Sequence, residues 1–337
     1  MIYLTLKLSS TIMRLDSRER RQCMFGKRRD GWLVKDVDPL VALTPYFMPM
    51  RCDAQVMMGF ETDFEKLARY IVKKGGEGYK ISFMDIIIAA YVRTVSELPE
   101  INRFIANKRI YARNEIVVSF AVLQRLGDGK YNENTIKCKF DPRDTIYDVS
   151  ARLEREIAIA RKADADNLTM QVVRLLRYPI VANIIVWLAR FLDRYGLLPK
   201  IVIDASPFHT GLFLVNMASI GMPAVRHHIY NFGTTPLFVS MGANQRSLSM
   251  DKEGNVKRTR VMPLGVVADE RVCSGYVYSQ MVSKILKYIG NPHLLETPPE
   301  TVTFDEGHEF GLEPIKKKRR FFRKRKKLRQ DTYNKAS

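Results

Sequence analysis

The chain has 337 residues, 46% of them apolar and 10% aromatic, with a formal net charge of +19. That is enough for one large domain or two small ones around a sizeable packed core. Four cysteines (Cys23, Cys52, Cys138, Cys273) form no Cys-x-x-Cys pair, which argues against a zinc site or a disulfide scaffold and fits a reducing, cytoplasmic compartment. The positive charge is concentrated at one end. Lys316 to Arg329 carries eleven basic residues and no acid, which leaves about +8 for everything else, too little to mark the globular part as a nucleic-acid binder.

The first ten residues alternate apolar and polar side chains and lack the basic-then-apolar layout of a signal peptide. Residues 11–29 suit a short surface helix, and Pro45 and Pro49 exclude a regular helix around them. Arg51 to Phe60 predicts a strand. Asp63 to Lys74 predicts a helix capped by Thr62 or Asp63 and stopped at Gly75-Gly76. Ser82 to Leu98 is the clearest helix of the first half, with Ser82 as N-cap and Asp85 as the acidic member of a capping box. A strand is expected over Tyr111 to Val122, a polar hairpin loop over Gly127 to Asn134, and a long helix over Asp144 to Lys162.

Residues 170–195 predict a helical pair that Pro179 starts or kinks. The uncharged run Tyr178 to Ala189 is short of the roughly 20 residues a membrane span needs. With Arg174, Arg177, Arg190 and Arg194 beside its apolar face, it fits either a helix packed on the domain or an interfacial one. Strands are expected within Thr210–Gly221, Thr234–Gly242 and Val261–Val267. The last runs through Ala268-Asp269-Glu270-Arg271-Val272-Cys273-Ser274-Gly275 into a helix over Tyr276 to Ile289.

The Asp269–Gly275 turn resembles the signature of the chloramphenicol acetyltransferase superfamily, Asp-His-Arg-x-x-Asp-Gly. Asp269, Arg271 and Gly275 fit, Glu270 stands at the catalytic His and Ser274 at the second Asp. Other segments in order resemble the dihydrolipoyl acyltransferase domains of 2-oxoacid dehydrogenase complexes: Leu98-Pro-Glu-Ile-Asn102, Thr210-Gly-Leu-Phe-Leu-Val-Asn-Met-Ala-Ser219, Thr234-Thr-Pro-Leu-Phe-Val-Ser-Met-Gly242 and Asn291-Pro-His-Leu-Leu295. The resemblance implies an α/β two-layer sandwich, a mixed sheet with helices on one side, over residues 51–295. A lead-in (1–50), a linker (296–314) and a polybasic tail (315–337) complete the layout. It also implies a homotrimer with acyl-CoA channels between subunits, CoA or acyl-CoA as co-substrate, and neither a metal nor a covalent cofactor.

Acyl transfer requires a base for the acceptor's proton and donors for the oxyanion. The resemblance places Glu270 in the first role and Asn216 in the second, with Ser219 as the nearby hydroxyl. An ordinary Glu is a weak base toward a thiol or a hydroxyl, so Glu270 also fits an ion pair at the strand end. His227 and His228 are alternative bases, and Cys273 is a further nucleophile candidate. His209, His293 and His308 show no metal-ligand spacing. Loss of both the His and the second Asp fits an alternative function, a catalytically inactive trimeric scaffold. In either case the tail residues Lys316, Lys317, Lys318, Arg319, Arg320, Phe321, Phe322, Arg323, Lys324 and Arg325 suit peripheral attachment to an anionic membrane, or nucleic-acid binding.

Overall fold

A computed structural model describes residues 28–125, 131–162, 177–250, 254 and 256–305. Most of the expected 11–29 helix, the hairpin tip at 126–130, residues 170–176 of the expected helical pair and the basic tail lie outside these residues.

Seven strands form a mixed sheet. They are β2 (Gln55–Asp63), β5 (Ile116–Arg125), β6 (Tyr131–Phe140), β7 (Leu212–Asn216), β8 (Leu237–Met241), β9 (Gln245–Met250) and β10 (Val256–Asp269), in the order β2-β10-β8-β7-β5-β6 with β9 on the early half of β10. Only β5·β7 and β7·β8 are parallel. A second sheet joins β1 (Gly31–Leu33), β4 (Arg109–Arg113) and β3 (Phe104–Ala106). The single strand expected over Tyr111 to Val122 is thus two strands, one in each sheet, separated by Asn114 and Glu115. Residues 131–134, expected in the loop, pair in register with β5.

Helices α2 (Phe64–Gly76), α3 (Phe83–Glu97), α4 (Ile146–Lys162) and α7 (Gly275–Gly290) cover one face of the large sheet, and all contribute to its main core. This is the expected two-layer α/β sandwich. α3 lies at its centre, buried from Asp85 to Ser96. Its start is the expected capping box. The Ser82 backbone N–H donates to the Asp85 carboxylate at 2.7 Å, and the Asp85 N–H donates to Ser82 Oγ at 3.2 Å.

Alternation along β10 sorts its two faces. Leu264, Val266 and Ala268 enter the core under the helices, and Val267 packs with Phe213, Ile229 and Phe238 on the reverse face. The extended segment 222–230 lies on that reverse face. Gly265 permits the close approach, since a Cβ there would come within 2.3 Å of the Val225 carbonyl oxygen.

One proline reading is corrected. Helix α1 (Pro39–Phe47) contains Pro45 in its last turn. Proline has no N–H for the carbonyl four residues back, and the Thr44 hydroxyl donates to that carbonyl, Val41 O, at 2.8 Å. Two further helices, α5 (Pro179–Arg194) and α6 (Lys200–Ala205), precede β7, and Pro179 opens α5 rather than kinking it. Ser82→Ala should lower stability by about 1 kcal/mol with no change in fold, as read by chemical denaturation and circular dichroism.

Candidate functional site

The site forms where β10 ends. The Asp269 N–H donates to Pro236 O at 2.8 Å and the Glu270 N–H to Ala54 O at 2.9 Å, which pegs the strand end between two neighbouring segments. The Asp269 carboxylate is buried and takes a two-pronged contact from Arg271, Nε at 2.8 Å and NH2 at 2.7 Å. Arg51, 218 positions earlier, adds Nε at 3.3 Å. The other guanidinium donors reach backbone carbonyls: Arg51 bonds Tyr230 O at 2.7 Å and Gly233 O at 2.9 Å, and Arg271 bonds Met48 O at 2.9 Å. Burial lowers the Arg51 pKa from its usual value, opposed by the Asp269 charge. The Tyr278 hydroxyl donates to the Asp269 carbonyl, and burial holds that phenol protonated, well above its ordinary pKa.

Two expectations change here. Arg271 pairs with Asp269, so the ion pair expected for Glu270 does not form, and Glu270 is exposed with no ion-pair partner among the described residues. The signature is also not stripped of its anchors. Asp269 is the carboxylate that holds arginines, and Ser274 caps α7 by accepting the Val277 N–H at 3.4 Å. Gly275, the first residue of α7, is exposed, with open space where a Cβ would be.

Glu270 stands at the mouth of an open groove of about 1020 Å³ between α1, β2 and α7. Val56, Met58, Phe60 and Val282 make its apolar wall, and Ser274, Tyr278 and Ser279 add polar atoms beside Glu270. Val56, Met58 and Phe60 stand opposite Ala268, Val266 and Leu264 across β2–β10, which puts the groove on the helix side of the sheet.

His227 and His228 are on the other side. His227 stacks on Phe238 at 4.8 Å and on His228 at 4.4 Å, and its Nδ1 meets the His228 carbonyl at 2.7 Å. The sheet therefore separates both imidazoles from the groove, and the expected rescue of Glu270 by a histidine does not occur within one chain. Asn216 is also remote. It is level with Met241 on β8, which faces Leu264 on β10, six residues before Glu270. At strand rise that separates the two by about 20 Å. The Asn216 side-chain oxygen accepts the Ser219 N–H at 3.2 Å, and the Ser219 hydroxyl donates to Asn216 O at 2.7 Å. The Asn216 amide NH2 makes no hydrogen bond among the described residues.

Cys273 is buried beside the groove, and burial pushes its thiol up to about 12, where it is no nucleophile at neutral pH. His209 is buried against Ser206 Oγ (2.8 Å) and Asp193 (3.5 Å), outside the groove. Arg51 and Tyr278, which build the site, carry no local sequence signal for that role; only the fold joins Arg51 to Asp269.

No protein-family model and no curated protein matches the chain. Solved structures do. They include a probable dihydrolipoamide acetyltransferase from Listeria monocytogenes (15% identity, 76% of this chain and 93% of that one, TM-score 0.47). The dihydrolipoamide acetyltransferase of Azotobacter vinelandii matches at 13% identity over 78% of this chain and 93% of that one, TM-score 0.48. A chloramphenicol acetyltransferase matches at 16% identity over 76% and 100%, TM-score 0.41. These neighbours are of the kind the sequence motifs resemble. At such identities the likeness concerns the fold and assigns no residue a role.

Asp269→Ala would leave two buried guanidinium groups unpaired and should cost about 3–5 kcal/mol. Glu270→Gln, at an exposed position, should stay within about 0.5 kcal/mol of wild type in the same denaturation series. Alkylation of the native protein near pH 8 should label exposed Cys52. Buried Cys138 and Cys273, both pushed up to about 12, should react only after unfolding, as peptide mass mapping would read.

Proposed function

We propose that the chain is an acyltransferase core that moves an acyl group from CoA to an acceptor in the groove, with Glu270 as general base. The observation that supports this is the freedom of Glu270. At the one position where the resemblance expects the proton acceptor, a carboxylate faces an apolar-walled groove while its neighbour Arg271 is fully engaged elsewhere. In the proposed step Glu270 takes the proton of the acceptor's hydroxyl or thiol. The acceptor then attacks the thioester carbonyl, the C–S bond breaks, and the CoA thiolate leaves and recovers the proton. Asn216 supplies an amide N–H to the oxyanion.

Glu270 and Asn216 are about 20 Å apart along one sheet, so the proposal requires Asn216 of one copy to face Glu270 of another, as in a homotrimer with CoA channels between subunits. Closure of the groove by a second copy would also exclude bulk water from the reacting groups. The same separation favours the second reading, a non-catalytic trimeric scaffold, if the copies meet without forming a channel.

Calorimetric titration with CoA and acetyl-CoA separates the two. Micromolar binding, lost when Asn216 is replaced by a bulky residue, is expected. Glu270→Gln should keep CoA affinity and reduce acyl transfer about a hundredfold or more. Absence of binding at millimolar ligand overturns the acyltransferase reading.

A further inference from the structure

Helix α5 has no buried residue along its 16 positions, which is unusual for so apolar a segment. Its side chains sort by angle into three sets. Val181, Ile185, Ala189 and Leu192 are half-buried and turn toward the body. On the outer side Ile180, Ile184, Trp187, Leu188, Phe191 and Tyr195 fall within an arc of about 100°. All six are exposed, Ile180 at 75% and Trp187 at 64%. Asn183, Arg190 and Arg194 line one border of that arc. The aromatic part is pre-stacked: Trp187 lies 5.7 Å from Phe191, and Phe191 lies 4.9 Å from Tyr195.

Among the described residues, the side-chain hydrogen bonds and ion pairs of the helix lie at its C-terminal end, where Arg194 Nε also donates to Asn107 Oδ1 at 2.9 Å. Asp193 accepts from Arg28 Nη2 at 2.5 Å and faces His209 Nε2 at 3.5 Å. Burial works against its charge, yet the His209 contact and the Arg28 charge hold the carboxylate at about 2. Arg28 itself lies against the rings of Phe104 and Tyr111. The tether fixes the rotation of α5, and thereby aims its outer stripe away from the body. Beyond the helix the patch continues with Leu197 and Ile201, exposed at 58% and 83%.

We propose that the outer stripe of α5 is a membrane-docking surface for anionic lipid bilayers, lying in the headgroup plane with Trp187 and Phe191 inserted. Charge selects the bilayer over a second copy of the chain. The stripe is bordered by Arg190 and Arg194, so pairing it with the same stripe of a second copy would bring like charges together. Anionic headgroups instead complement the border while the rings enter the acyl boundary. Trp and Tyr suit that depth because one edge is apolar and the other polar. Among the described residues no helix is long and apolar enough to cross a membrane, so the contact would be interfacial. One amphipathic face gives reversible binding. The inference is independent of catalysis at the Glu270 groove.

The full chain has two tryptophans, Trp32 and Trp187, so a Trp32→Phe background isolates the reporter. On addition of phosphatidylglycerol vesicles, Trp187 emission should shift to the blue and be quenched by brominated acyl chains, with no change on phosphatidylcholine alone. Ile184→Glu with Phe191→Glu should weaken vesicle affinity by about tenfold or more, with an unchanged thermal unfolding temperature. Unchanged Trp187 emission at vesicle saturation would mean that the basic run alone carries binding, and would overturn the proposal. So would retention of vesicle affinity by the double variant together with loss of its oligomeric state in light scattering, since the stripe would then join copies of the chain.

Discussion

The arrangement depends on one buried carboxylate. Asp269 ends the central strand β10 with Arg271 and Arg51 upon it, and the remaining donors of the two arginines reach carbonyls at Met48, Tyr230 and Gly233. Three separate segments, 48–51, 230–233 and 269–271, are tied at that point. The first of them begins at Met48, the C-cap of α1, the helix that makes a wall of the groove. A buried ion pair need not add net stability, because burial opposes both charges. Its value here is geometric: it fixes the strand end so that the next residue, Glu270, lies at the groove, exposed and with no ion-pair partner among the described residues.

The groove and the reverse face of the sheet are distinct environments. The alternation of β10 puts Val266 under the helices and Val267 against the 222–230 segment, and the same alternation keeps His227 and His228 away from Glu270. Glu270 and Asn216 lie toward opposite ends of the same sheet, so one chain does not bring the two side chains together.

Elements governed by nearby residues were legible. The α3 capping box and the Asp63 cap of α2 depend on contacts three positions apart. Where a distant or side-chain partner intervened, local reading failed. Pro45 sits inside α1 because Thr44 satisfies the carbonyl that proline cannot. Tyr111 and Phe120 belong to different sheets because the chain turns at Asn114, which donates its N–H to Asp30 O at 3.1 Å.

By itself, then, the sequence determined the layered α/β arrangement, the order of its motifs and the concentration of basic charge at one end. These follow from periodicity, composition and adjacent residues. Only the tertiary structure decided that Arg271 serves Asp269 and leaves Glu270 unpaired, that Arg51 joins them, and that the two histidines lie behind the sheet. Those outcomes turn on which side of a strand a residue faces and on pairings across some two hundred positions, and neither is encoded in local spacing.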